Sequence, residues 1–131
     1  MTAAPASTLT VADVMSTDVE VIRPDAPADS AWHRLEFRDI HHLVVVDHGT
    51  VVGVISARDL GDVPGRAVRR RKLVADLMTP QLVTVSPGAS LRHAARVLKG
   101  RGIGCLPVFT RNRLVGILTT TDLLETLAER T

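Results

Sequence analysis

A pair of βαββα repeats, an α+β arrangement, is expected of this 131-residue chain because the sequence aligns with itself without a gap at an offset of 63 residues. Residues 11–60 lie over residues 74–123 with sixteen identities in fifty positions. Both copies also alternate short β-branched runs with apolar stripes of helical period. A unit of this size cannot bury its sheet alone, so the two copies are expected to pack sheet to sheet about a pseudo-two-fold axis, leaving two equivalent clefts between them.

The elements follow in the same order in each copy. A short helical turn, Val11 to Met15 or Val74 to Met78, leads to a brief strand around Val19 to Ile22 or Leu82 to Val85. A turn containing Pro24 or Pro87 then opens a helix. In that helix Ala28, Ala31, Trp32 and Leu35 recur at i, i+3, i+4 and i+7, and Leu91, Ala94, Ala95 and Leu98 repeat the stripe. Two hairpins follow: Leu43 to Val46 with Val51 to Ile55, and Leu106 to Phe109 with Leu114 to Leu118. Their turns are Asp47-His48-Gly49-Thr50 and Thr110-Arg111-Asn112-Arg113. A closing helix is expected from near Ser56 and from near Thr119, the second running towards Glu129. Gly61 to Lys72, rich in Gly, Pro and Arg, reads as a linker, so the expected organisation is repeat 1 at 9–62, a basic linker at 63–72 and repeat 2 at 73–129.

Composition narrows the function. Sixteen Lys and Arg oppose fourteen Asp and Glu, and the aromatic residues are Trp32, Phe37 and Phe109, which excludes a stacking platform for single-stranded nucleic acid. Cys105 is the sole cysteine, so no internal disulfide or multi-cysteine zinc site can form, and a reducing, cytoplasmic setting is expected. Cys105 itself falls on an expected buried strand and reads as packing. The first ten residues carry neither a positive leader nor an apolar core, and no apolar run approaches spanning length, so neither export nor a membrane is expected. His33, His41, His42, His48 and His93 show no metal-ligand spacing. Gly100-Arg-Gly102-Ile-Gly104 follows a helix instead of opening one, so it reads as a C-cap and turn and not a dinucleotide fingerprint. No nucleophile with a positioned base emerges, and the chain is expected to have no enzymatic activity.

With these motifs in order, twice, the sequence resembles a tandem pair of CBS domains, regulatory modules named after cystathionine β-synthase. The resemblance rests on the V-A-D-V/L-M openings, on Ile40-His41-His42-Leu43-Val44-Val45-Val46-Asp47 and Ile103-Gly104-Cys105-Leu106-Pro107-Val108, and on the closing runs Gly53 to Leu60 and Gly116 to Leu123. The chain departs from the family pattern at Val44, where Pro is usual, at His41, where Gly is common, and at Thr110, where Asp often ends the strand. The resemblance implies that AMP, ADP, ATP or S-adenosylmethionine binds in the clefts, that the chain forms a homodimer, and that the output passes to a separate effector protein. It also implies that Asp59 and Asp122 hold a ribose while Ser56 and Thr119 lie near a phosphate.

The residues permit that chemistry and a plainer one. A carboxylate can accept hydrogen bonds from both hydroxyls of a cis-diol, and a helix N-terminus favours phosphate. Ser56-x-x-Asp59 and Thr119-x-x-Asp122 are equally capping-box variants that satisfy helix amides. His41 and His42 precede a strand at a position where relatives place phosphate contacts. The resemblance also implies that Thr84, from the opposite repeat, lies near the ribose or adenine; with Val21 as its counterpart, the cleft combining Thr84 with His41, His42, Ser56 and Asp59 is expected to be the richer in polar groups, and Arg58 and Thr121 are further candidate contacts. Arg69-Arg70-Arg71-Lys72 reads as a solvated linker face, or more sharply as a basic run attracting a polyphosphate or an acidic partner. Four charges without a recognition helix make a poor reader of nucleic acid, and no nucleic-acid partner is expected. A constitutive dimerisation scaffold with empty clefts is the alternative function.

Overall fold

The computed structural model describes residues 8–80 and 83–129, which form two compact units. One comprises Glu20–Leu82 and the other Met1–Val19 with Val83–Thr131. Within the first lie β1 (Val21–Ile22), α2 (Ala28–Arg38), β2 (His42–Asp47), β3 (Thr50–Ser56), α3 (Arg66–Arg69) and α4 (Val74–Leu77). Within the second lie α1 (Val11–Val14), α5 (Leu91–Arg101), β4 (Cys105–Thr110), β5 (Arg113–Thr119) and α6 (Thr120–Glu129). The α+β two-repeat architecture is therefore present, with the opening helical turn of each repeat housed in the other repeat's unit.

Matching hydrogen bonds make that exchange. Val11 N–H donates to Ala89 O at 2.9 Å and Ala12 N–H to Pro87 O at 2.9 Å. In the other unit Val74 N–H donates to Ala26 O at 2.8 Å and Ala75 N–H to Pro24 O at 2.9 Å. Beyond each helical turn the chain joins a strand edge: Ser16 bridges Ile117 in one unit and Thr79 bridges Val54 in the other. Repeated glycines permit this approach. A Cβ on Gly53 would stand 2.5 Å from Thr79 O, and one on Gly116 would stand 2.7 Å from Met15 Sδ and 2.9 Å from Ser16 O.

The cores correspond residue by residue. Ile22, Ala28, Ala31, Leu35, Leu43, Val45 and Ile55 are buried in one unit, and Val85, Leu91, Ala94, Leu98, Leu106, Val108 and Leu118 take the same places in the other. The exchanged valines Val74 and Val11 complete them. The helical stripes thus face inward as their period requires, Trp32 and Ala95 being half-buried at the margin. Both hairpins close through two residues of positive φ, His48-Gly49 and Arg111-Asn112, the backbone twist that suits antiparallel strands. Helix α5 begins on a Ser90 cap, whose hydroxyl accepts from His93 N–H at 3.0 Å, and stops at left-handed Gly102, as the glycine-rich run suggests.

Three expectations need correction. The first strand of the second copy is reduced, among the described residues, to a single parallel bridge between Val85 and Val108; residues 81 and 82 lie outside those described. In the first copy Val44 N–H donates to Glu20 O at 3.0 Å, extending the pairing of β1 with β2. Pro107 stands at the matching position and has no N–H to give. No helix starts at Ser56: turns carry residues 57–61, and Gly61, at φ +84°, ends them. Its Cα also meets the backbone of Gly65, where an added Cβ would lie 2.5 Å away. The basic run, finally, is not one solvated face. Arg69 is 5% exposed, whereas Arg70, Arg71 and Lys72 are exposed.

Arg69 is held from several sides. Its Nη1 donates to Leu60 O and Asp62 O, each at 2.8 Å, and its guanidinium lies 4.3 Å above the centre of the Trp32 ring. Nε sits 3.4 Å from Asp29 Oδ1, an ion-pair distance without hydrogen-bond alignment. The fork therefore fastens α3 to α2 and to the turn after β3.

Candidate functional site

The Ser56–Asp59 motif occupies the corner where β3 ends. Ser56 N–H donates to Asp59 Oδ2 at 3.0 Å, and Asp59 N–H donates to Ser56 Oγ at 3.0 Å. Ala57 N–H donates to His41 O at 3.0 Å, tying the corner to the residue before β2. The second copy repeats every link. Thr119 N–H donates to Asp122 Oδ2 at 2.9 Å, Asp122 N–H to Thr119 Oγ1 at 3.1 Å, and Thr120 N–H to Gly104 O at 3.0 Å.

Both motifs are thus reciprocal capping boxes, one opening the helix α6 and the other a tight turn. This arrangement has a chemical consequence. The cap holds Oδ2 of each half-buried carboxylate, while Oδ1 of Asp59 and of Asp122 receives no hydrogen bond among the described residues. The same cap that satisfies the backbone therefore orients a carboxylate with one acceptor oxygen still available.

Of the other candidates, His42 is the first residue of β2, half-buried and paired across the hairpin with Ser56. His41 precedes the strand and is exposed. Arg58 is exposed beside Asp59, and Thr121 is exposed beside Asp122. Thr84 is exposed and belongs to the unit that contains Asp122, not to the unit of Asp59. The first corner carries His41 and His42 where the second has Gly104 and Cys105.

One residue escaped the sequence reading. Thr79 Oγ1 lies 3.5 Å from Asp59 Oδ2, brought there by the pairing of Thr79 with Val54. Its signal was the 63-residue offset, which sets Thr79 over Ser16, a second hydroxyl in the same backbone place beside Ile117.

A separate groove lies at the hairpin end of the first sheet, lined by Val21, Arg23, Arg34 and His48 among others. Its cations are already engaged. Arg34 donates to Val21 O, and Arg23 forks onto Asp25, whose carboxyl the guanidinium hydrogen bond holds below the usual carboxylate range. Among the described residues no cluster of His, Cys, Asp and Glu is arranged to hold a metal ion, and no helix is long and apolar enough to cross a membrane.

Comparison with known proteins gives the corner a context. The CBS domain profile matches residues 11–63 and again residues 74–129. A CBS domain-containing protein of Dictyostelium discoideum is 33% identical over 130 residues, covering 89% of this chain and 90% of its own length. Other relatives are longer: the chain spans 42% of a Methanocaldococcus jannaschii protein that is 26% identical to it, and 23% of a homoserine O-acetyltransferase of Methanococcoides burtonii that is 33% identical. Among solved structures, the CBS domain pair of protein MJ0100 in complex with 5′-methylthioadenosine and S-adenosyl-L-methionine superposes with a TM-score of 0.83 at 25% identity, covering 93% of this chain and 98% of that one. CBSX2 in complex with AMP superposes with a TM-score of 0.76 at 30% identity, covering 92% and 97%.

Proposed function

Since the chain belongs to the CBS domain family and carries the domain twice, we propose that it is a non-catalytic regulatory module that binds an adenosine-containing ligand, AMP, ADP, ATP or S-adenosylmethionine. The observation that carries this reading is the oriented, half-buried Asp59 carboxylate with Oδ1 available, on a chain similar to domain pairs solved with AMP and with S-adenosylmethionine. Asp59 Oδ1 accepts from the ribose hydroxyls; Ser56 Oγ, Arg58 and the His41–His42 pair serve the phosphate or its replacement. Asp122, Thr119 and Thr121 form the second, weaker corner, and Thr84 is a further contact. The module works as a cytoplasmic homodimer and passes the signal to a separate effector protein, its ligand binding two states with different affinity.

The capping boxes themselves favour a second reading, a constitutive scaffold in which Asp59 and Asp122 do nothing but cap. Calorimetric titration and thermal shift with the four ligands separate the two. Ligand at a hundred times its Kd adds about 2.7 kcal/mol to stability, a readily visible rise in Tm. Asp59→Ala is expected to weaken binding about thirtyfold, equivalent to about 2 kcal/mol, through loss of a charge-assisted contact. Silence with all four ligands supports the scaffold, and an unchanged Kd in Asp59→Ala removes Asp59 from the site.

A further inference from the structure

Helix α3 has no equivalent in the second copy, where α6 runs straight on from Thr119. Arg69 brings it against α2, and a cavity of about 300 Å³ opens at that contact. Asp29, Trp32, His33 and Glu36 line the α2 side; they recur at i, i+3, i+4 and i+7 and so form one stripe of the helix. Arg66 and Arg69, one turn apart, line the α3 side.

Three features of this lining suit a ligand of mixed charge. Arg69 is 5% exposed, yet only Nη1 of its guanidinium is hydrogen-bonded: the buried Nε has no acceptor, and Nη2 has none among the described residues. A buried donor without a partner is costly, so the open edge of the fork favours an incoming acceptor. Asp29, at 3.4 Å, already offsets the charge of Arg69, which leaves Arg66 and Glu36. These two border one cavity with opposite charges and, among the described residues, form no ion pair with each other or with any other group. Trp32, half-buried, supplies an apolar wall between them.

We propose that the cavity binds a free α-amino acid with an apolar side chain, at a site separate from the Asp59 corner and independent of the nucleotide reading. A solute carrying both charges satisfies both sides. Its carboxylate accepts from the open edge of Arg69 and from Arg66, its ammonium donates to Glu36, and its side chain lies against Trp32. A purely anionic solute meets Glu36 with like charge, and a purely cationic one meets the arginines, so the balanced lining selects against both. Size agrees with this. Ligand pockets span about 300–1,000 Å³, and a cavity at the bottom of that range suits a solute of amino-acid size better than a larger one.

Trp32 is the only tryptophan and borders the cavity, so its fluorescence in the full chain reads binding directly. L-Leucine is expected to change it saturably, with half-saturation at about 1 mM or below. Leucinamide, which lacks the carboxylate, and isocaproate, which lacks the ammonium, should each bind at least about tenfold more weakly, because each forfeits a charge-assisted contact. Two variants at exposed positions assign the ends of the solute. Glu36→Gln should weaken leucine at least about tenfold and leave isocaproate unchanged, whereas Arg66→Gln should weaken leucine and leave leucinamide unchanged. No saturable change up to about 10 mM leucine, equal affinity for either singly charged analogue, or full leucine affinity in both variants would overturn the proposal. AMP titration of the same variants, which retain Ser56 and Asp59, keeps this outcome separate from that of the nucleotide reading.

Discussion

Replacing Arg69 by Ala tests whether a side chain in a charge run supports the fold. In the wild type, Nη1 makes two 2.8 Å hydrogen bonds to carbonyl oxygens, and hydrogen bonds to a charged group contribute about 1.5–3 kcal/mol each. The guanidinium over Trp32 adds about 2 kcal/mol when desolvated. Against these stands the cost of burying the ion, several kcal/mol, which the variant no longer bears. The balance is a loss of about 3 kcal/mol, set by the two carbonyls left without a donor. Arg69→Lys keeps the charge but cannot reproduce the planar fork, and should lose about half as much. Arg70→Ala, at an exposed position, should stay within about 0.5 kcal/mol of wild type. Urea unfolding followed by tryptophan fluorescence reads this directly, because Trp32 is the only tryptophan and lies under the guanidinium. If Arg69→Ala unfolds at the same urea concentration as Arg70→Ala, the assignment of Arg69 as the fastening of α3 is wrong.

Other substitutions probe the remaining steps of the argument. Gly53→Ala should cost about 1–3 kcal/mol, because its new methyl would stand 2.5 Å from the backbone oxygen of Thr79, and Gly116→Ala should cost less, because its methyl stands farther from backbone, 2.9 Å from Ser16 O, and its nearest neighbour is the flexible Met15 thioether; equal unfolding midpoints for both variants and wild type would refute the close approach. Gly100→Ala, inside α5 with nothing within 4 Å, should stabilise the chain by about 0.5–1 kcal/mol in the same assay, and a loss of stability would show that its surroundings are not open. Asp59→Ala should show, apart from its effect on ligand, a loss of about 1 kcal/mol in unliganded stability from the broken cap. No change in that midpoint would mean the reciprocal box does not operate in solution.

Local chemistry in the chain was enough for the repeats, the helix stripes, both hairpin turns, the α5 C-cap and the family, since each depends on residues a few positions apart or on self-similarity. It was also enough for the capping geometry at Ser56–Asp59 and Thr119–Asp122, a three-residue relation. Tertiary structure decided the rest. The exchange of the V-A-D openings arises from pairings such as Thr79 with Val54, which join segments remote in sequence and leave no periodic trace except two glycines kept small. Among the described residues, the reduction of the strand beside β4 to one bridge follows from one absent N–H, on Pro107, felt only once a neighbour is alongside. Arg69 looked like its neighbours because a run of charges has no inside. Burial came from Trp32, Asp29 and two carbonyls gathering around it, and only a folded chain can gather them.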